Sequence, residues 1–345
     1  MPTTTSPRLR VPAAAVVLGL LLACVGLAVA PQPARAASFT VSTTEDVLDA
    51  AATCGAVRAD NLPGPDGLVS LREAVCAANS NPGADTLVVP SGVYVLTREG
   101  REDNGTNGDL DVVGELTIER EGTEPLVFDG GLVDRVFHLR ATGATLRLAD
   151  ATLRNGRPYD DGGALLIASS TRAELRNVTI VDNAAYGGGG IANHGTLVLT
   201  DSLIAGNTSL PGGVSGGGGI SSEGLLTVQR SIIEDNTATS GGGIAIYGLW
   251  LGSPLIEQSL IRANTATGGG GGIYVVNAEG VRVNDSTIAS NSAYRGGGVD
   301  VSIPDSRVQL RHVTITGNTA ELGGGVSTAT SSYVSGINSI IGYNT

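Results

Sequence analysis

The chain has 345 residues, of which 41% are hydrophobic, only 3% aromatic and 51 glycine. So few large side chains exclude a thick globular core and suit a thin one of stacked aliphatics, and the regular placing of the apolar residues excludes disorder. The net charge is −12 and all 21 basic residues are arginine, which argues for no nucleic-acid partner and no anionic membrane surface, since both need a basic face.

Residues 1–36 read as a secretory signal peptide. Arg8 and Arg10 form the positive segment, Val11–Ala30 the apolar run, and Ala34-Arg35-Ala36 the small-residue cleavage site. The expected mature chain starts at Ala37 and is secreted or held at the cell surface. Leu21-Leu22-Ala23-Cys24 loosely resembles a lipobox, but Val25–Ala30 continues the apolar run past Cys24 and argues against lipidation. No other apolar stretch reaches 18 residues, so no transmembrane span is expected in the mature chain. Cys24 leaves with the signal. Cys54 and Cys76 remain, and two cysteines in an exported chain favour a disulfide between them.

Residues 37–140 read as a cap and the first coils. Phe39-Thr40-Val41 is a short strand and Asn61–Gly67 a loop. Ser70 and Glu73 form a capping box that opens a helix from Leu71 to about Asn79, whose apolar face is Leu71, Ala74, Val75 and Ala78. Asn81-Pro82-Gly83 stops it. Thr86–Val89 and Val93–Thr97 follow as strands around a Pro90-Ser91-Gly92 turn. The helix is expected to cover the open end of a solenoid.

Ser70-Leu71-Arg72-Glu73-Ala74, then Ala77-Ala78-Asn79, Asp85, Pro90–Tyr94 and Gly108–Asp111 resemble the N-terminal CSLREA module of bacterial surface proteins. That family has a cysteine before the serine, where this chain has Val69; Cys76 stands in as the candidate bridging residue. The resemblance implies an exported β-helix protein and no particular reaction. Within the same segment Asp103, Asn107 and Asp109 fall at calcium-ligand positions of an EF-hand-like loop, but Gly105 and Gly114 sit where two further ligands are needed, so a polar turn is the preferred reading and no metal is expected.

Residues 141–345 are one coil repeated. The stretch Asn183–Ile191 (NAAYGGGGI) returns as Asn236–Ile244, Asn264–Ile273, Asn291–Val299 and Asn318–Val326, with a longer copy at Asn207–Ile220. Such a period marks a solenoid. Aligned, the coils give apolar columns: Leu153, Ile180, Ile204, Ile233, Ile261, Ile288, Ile315 and Ile341 in one, Leu148, Leu175, Leu199, Val228, Ile256, Val283 and Leu310 in another. The fold expected is all-β, a right-handed parallel β-helix with three-strand coils of about 27 residues and an N-terminal capping helix. Asn183, Asn207, Asn236, Asn264, Asn291 and Asn318 are read as an amide ladder at a corner, with asparagine tolerating left-handed backbone there.

These GGG-I and I-x-x-N units resemble the repeats of the polymorphic outer membrane protein family, which implies surface display and adhesion, although the barrel that would anchor such a protein is not in this sequence. The chain stops at Ile340–Thr345, at the start of another repeat, so further coils or an anchor are expected beyond Thr345.

Chemistry is weighed on few residues. The glycine runs open strands rather than helices, which excludes nucleotide binding. Asp182 and Asp235 share one position two coils apart, about 9–10 Å on the coil spacing, near the limit for an inverting glycosidase pair. Asp160 and Asp161 form a second polar cluster with Arg157. Both sets are equally turn residues, and His194 and His312 have no evident partner. No cofactor is expected. The reading is adhesion, or glycan or matrix binding; the alternatives are a polysaccharide-active lyase or glycoside hydrolase on a β-helix, and a structural spacer. Oligomeric state is left open.

Overall fold

The structure, a computed structural model, describes residue 2 and residues 35–100, 104–213, 216–248, 252–303 and 306–345. Most of the expected signal peptide, and Asp103, lie outside the described residues.

One coil serves for all. Thr196–Thr200 and Leu203–Ala205 lie on one side, the two-residue strand Thr208–Ser209 follows, and Ile220–Ser222 closes the turn. Each pairs in parallel with its counterpart in the coils on either side, as Ile204 does with Ile180 and Ile233. Three parallel sheets result, one of them nine-stranded and one built from six short strands. The six-stranded sheet is an addition to the three strands read from the sequence; its members are too short to show a period.

The apolar columns stack as aligned. Leu175 faces Leu148 and Leu199, and the isoleucines at 180, 204, 233, 261, 288 and 315 are all fully buried. Each contributes about 1.5–3 kcal/mol of burial. At the N-terminal end aromatics widen this core. Phe128 meets Phe137 edge-on at 5.4 Å, and Tyr94 lies 6.0 Å from Phe128.

The chain turns three times per coil through left-handed backbone. In the coil above these are Asp201 (φ 53), Gly206 (φ 64) and Gly217 (φ 86). The second corner corrects the role given to the asparagines. The left-handed residue is the one before each asparagine, namely Asp182, Gly206, Asp235, Ala263, Ser290 and Gly317. The asparagine itself turns inward. Asn236 Nδ2 donates to Asn264 Oδ1 and to Ile204 O, both at 3.0 Å, while its Oδ1 accepts from Asn207 N at 2.9 Å and Asn207 Nδ2 at 3.0 Å. The same pattern runs from Asn183 to Asn344 at 2.9–3.0 Å between amides. Buried amides are tolerable because each of their groups is paired. A second ladder is made of serines: Ser202 N, Ser231 N and Ser259 N each donate to the serine hydroxyl of the next coil at 3.1 Å.

The first coils depart from the repeat. Ala84–Val95 is one strand, not two around a turn; its register against Glu115–Asp129 shifts between Pro90 and Gly92. Pro90 has no N–H to give, and Ser91 Oγ ties the bulge by donating to Glu121 O and Glu124 O.

The helix Leu71–Ser80 opens with Ser70 and Glu73 bonded reciprocally. It is buried from Leu71 to Ala78 on every side, because the chain before it wraps the face expected to be polar. Glu73 also accepts from Asp49 N and Ala50 N. Burial opposes its ionisation, but the Ser70 amide together with those of Ala50 and Asp49 outweighs it and holds its carboxyl below the usual glutamate range. Asn79 bonds Asp111 O and Val113 N, so the helix end pairs the open edge of the nine-stranded sheet. Cys54 and Cys76 are joined in a disulfide that ties this helix to the segment before it.

Candidate functional site

In the nine-stranded sheet the outer residues of each three-residue strand point into the core, so the middle one points away. Register gives this column as Asp111, His138, Leu166, Ala192, Ser221, Ala245, Tyr274 and Asp300. The left-handed glycine ahead of these strands bends over the column. A methyl on Gly241 would lie 2.8 Å from Ala245 Cβ, and one on Gly296 2.6 Å from Asp300 Cβ. Small residues, Ala192, Ser221 and Ala245, fill the middle of it, with the larger Leu166 and Tyr274 on either side. Asp111, His138 and Asp300 bring carboxylate and imidazole groups into it.

Around the first two of these, charges converge. Arg135 is buried, with Nε 2.9 Å from Asp109 Oδ2 and 3.8 Å from Asp134 Oδ1, while its Nη2 bonds Asp160. His138 Nδ1 lies 3.3 Å from Asp111 Oδ1, and Arg140 Nε 3.9 Å from the same oxygen. Asp161, one coil on, and the pair His194 Nδ1–Glu223 Oε2, 3.1 Å apart and two and three coils on, extend the strip. Burial raises the Asp134 carboxyl above its usual range despite Arg135, and Asp160 adds to this. Burial also raises Asp161; His194 opposes the shift and Asp160 and Glu223 reinforce it. A carboxyl that holds its proton more tightly than usual, near an imidazole–carboxylate pair, supplies the elements of acid–base chemistry.

The sequence candidates divide. Asp160 and Asp161 belong to this strip. Asp182 and Asp235 do not: both are exposed left-handed corner residues, in a column whose other members include Gly206 and Ala263. Asn107 packs under Gly100, and Asp109 is buried against Arg135. The carbonyls of the loop between them point at a cation the chain already owns. Gly105 O, Gly108 O and Asp109 O accept from Arg72 at 3.0, 2.8 and 3.1 Å, which accounts for the loop without calcium. His194 and His312 do have partners, in Glu223 and Asp285. Missed were Asp111, Arg135 and His138. The available signal was the apolar-x-apolar pattern of Leu110–Val112 and Phe137–Leu139, which places 111 beside 138 once the coil period is carried back.

The family model described as right handed beta helix region matches residues 136–294. No curated protein matches the chain, and no solved structure does. With parallel pairing in every coil and that match over its central coils, the chain is a right-handed parallel β-helix.

Proposed function

We propose that this is an exported β-helix protein of the cell surface or extracellular space that contacts a glycan or matrix through the charged strip from Asp109 to Glu223. The single observation that carries the reading is the concentration of carboxylate, guanidinium and imidazole groups there, beside a column whose next members, Leu166, Ala192, Ser221 and Ala245, carry no charge. Hydroxyl-rich ligands are recognised by such mixed carboxylate, guanidinium and imidazole donors and acceptors. The resemblance of the N-terminal segment to CSLREA modules, and of the coils to polymorphic outer membrane protein repeats, supports export and display. No helix among the described residues is long and apolar enough to cross a membrane. A glycan array with the wild type and with Glu223→Gln plus Asp160→Asn tests it. Binding that falls in the variant supports the reading; a blank array leaves the protein a spacer.

The His194–Glu223 pair, with Asp161 near it and that carboxyl raised by burial, supports a second reading, a polysaccharide-active enzyme acting here rather than at the exposed corners Asp182 and Asp235. Polyuronide and neutral glycans incubated with wild type and Asp161→Asn decide it: turnover lost in the variant makes the protein an enzyme.

A further inference from the structure

We infer that Asp109, Asp111 and His138 form a site for one divalent transition-metal ion of the Zn2+ or Mn2+ kind. Asp109 and Asp111 are two apart in the chain and so share a side, and His138 is the register partner of Asp111 on the next coil. One ligand atom from each of the three lies within 4.8 Å of the other two.

The second observation is the state of Asp111. It is 1% exposed, and neither of its carboxylate oxygens takes a hydrogen bond from any described residue. A buried carboxylate in that condition is costly, and its ion-pair neighbours, at 3.3 and 3.9 Å, are too distant to replace the lost hydration. Charge points the same way. Among the described residues Asp109, Asp111, Asp134 and Asp160 gather around Arg135 and Arg140, so acids outnumber guanidiniums there and a dication offsets the excess. Arg135 grips one oxygen of Asp109, the orienting role that outer groups commonly play for a metal-binding carboxylate.

The donor set chooses the ion. An imidazole nitrogen with two carboxylates suits Zn2+ or Mn2+, whereas Ca2+ and Mg2+ prefer oxygen alone. His138 presents Nδ1 toward Asp111, leaving the remaining positions to water. Metal binding here does not depend on glycan contact, and each is read without the other.

Calorimetric titration of the purified chain with ZnCl2, MnCl2 and, for contrast, CaCl2 tests the site. One Zn2+ or Mn2+ bound per chain is expected, weakened about 100-fold or more in Asp111→Asn and in His138→Gln. Far-UV circular dichroism checks that both variants keep the coil. Should either fail to fold, a chain carrying His194→Gln and His312→Gln, with His138 its sole imidazole, is loaded with Mn2+ and examined by pulsed electron paramagnetic resonance for nitrogen coupling. The inference is overturned by absence of saturable binding, by binding to Ca2+ alone, by tight binding that survives His138→Gln, or by bound Mn2+ without nitrogen coupling.

Discussion

Arg72 Nε lies 2.6 Å from Asp46 Oδ1, and the arginine has no exposed surface. Its remaining donors reach three loop carbonyls, so one guanidinium joins the capping helix, the segment before it and the loop ahead of Leu110–Val112. Removing it takes the guanidinium from those carbonyls and from Asp46, whose Oδ2 keeps the amides of Thr97 and Arg98. Arg72→Ala is expected to cost about 3–5 kcal/mol in urea unfolding, and Arg72→Lys to recover little, because an ammonium cannot make the fork. A loss below about 1 kcal/mol for Arg72→Ala would show that the cap is held by other contacts.

The asparagine ladder makes a second prediction. Asn236→Ala takes their side-chain partner from Asn207 N and Ile204 O in a dry interior, while Asn207 Nδ2 keeps Ile180 O and Ala205 O, so unfolding should show a loss of about 2–3 kcal/mol. Asn236→Asp should be no better, since the carboxylate would set an acceptor against Asn264 Oδ1. A surface substitution such as Thr237→Ala, next in the chain, serves as the control.

Corner chemistry is testable at Ala263, which takes φ 54 without glycine's freedom or an Asx side chain. Ala263→Gly should stabilise by about 1 kcal/mol, seen as a higher thermal midpoint. At the equivalent corner Asp235→Gly should be near neutral and Asp235→Val destabilising. An Asp235→Gly variant that loses glycan turnover while its midpoint stays put would restore that residue as a catalytic candidate.

Asp300 gives a pH dependence. It is 1% exposed under the glycine corner, and burial raises its carboxyl although Arg295, at 3.7 Å, and Ser327 oppose the shift. A carboxyl raised in the fold binds its proton more tightly folded than unfolded. Its favourable contribution is therefore complete below the ordinary aspartate range and is lost as pH rises through the folded value. Asp300→Asn should raise the melting temperature at pH 7–8 relative to the wild type, and the gain should shrink near pH 4. A gain that stays constant with pH contradicts this account.

The stacked core was legible because like residues recur in each coil: Ile180, Ile204 and Ile233 align by eye and pair in register. The capping helix was legible from Ser70 and Glu73. The left-handed corner was read one residue late, since the eye follows the invariant asparagine, whereas Asp182, Gly206 and Ala263 have nothing in common except the backbone they adopt. The charged strip was half-seen. Asp160 and Asp161 stand together in the chain, but Asp111, Arg135 and His138 meet only across coils, and the irregular first coils hide the period that joins them.

The amide ladder carries one consequence for how such a protein changes length. Each asparagine from Asn207 to Asn318 makes the same bonds to the coil before and the coil after it, so a whole coil can be added or removed between any two of these rungs without leaving a mismatched joint. Each such event moves the two ends by about 4.8 Å. The molecule is thus a ruler graduated in single coils, on which the charged strip near one end keeps its shape whatever the distance to the other.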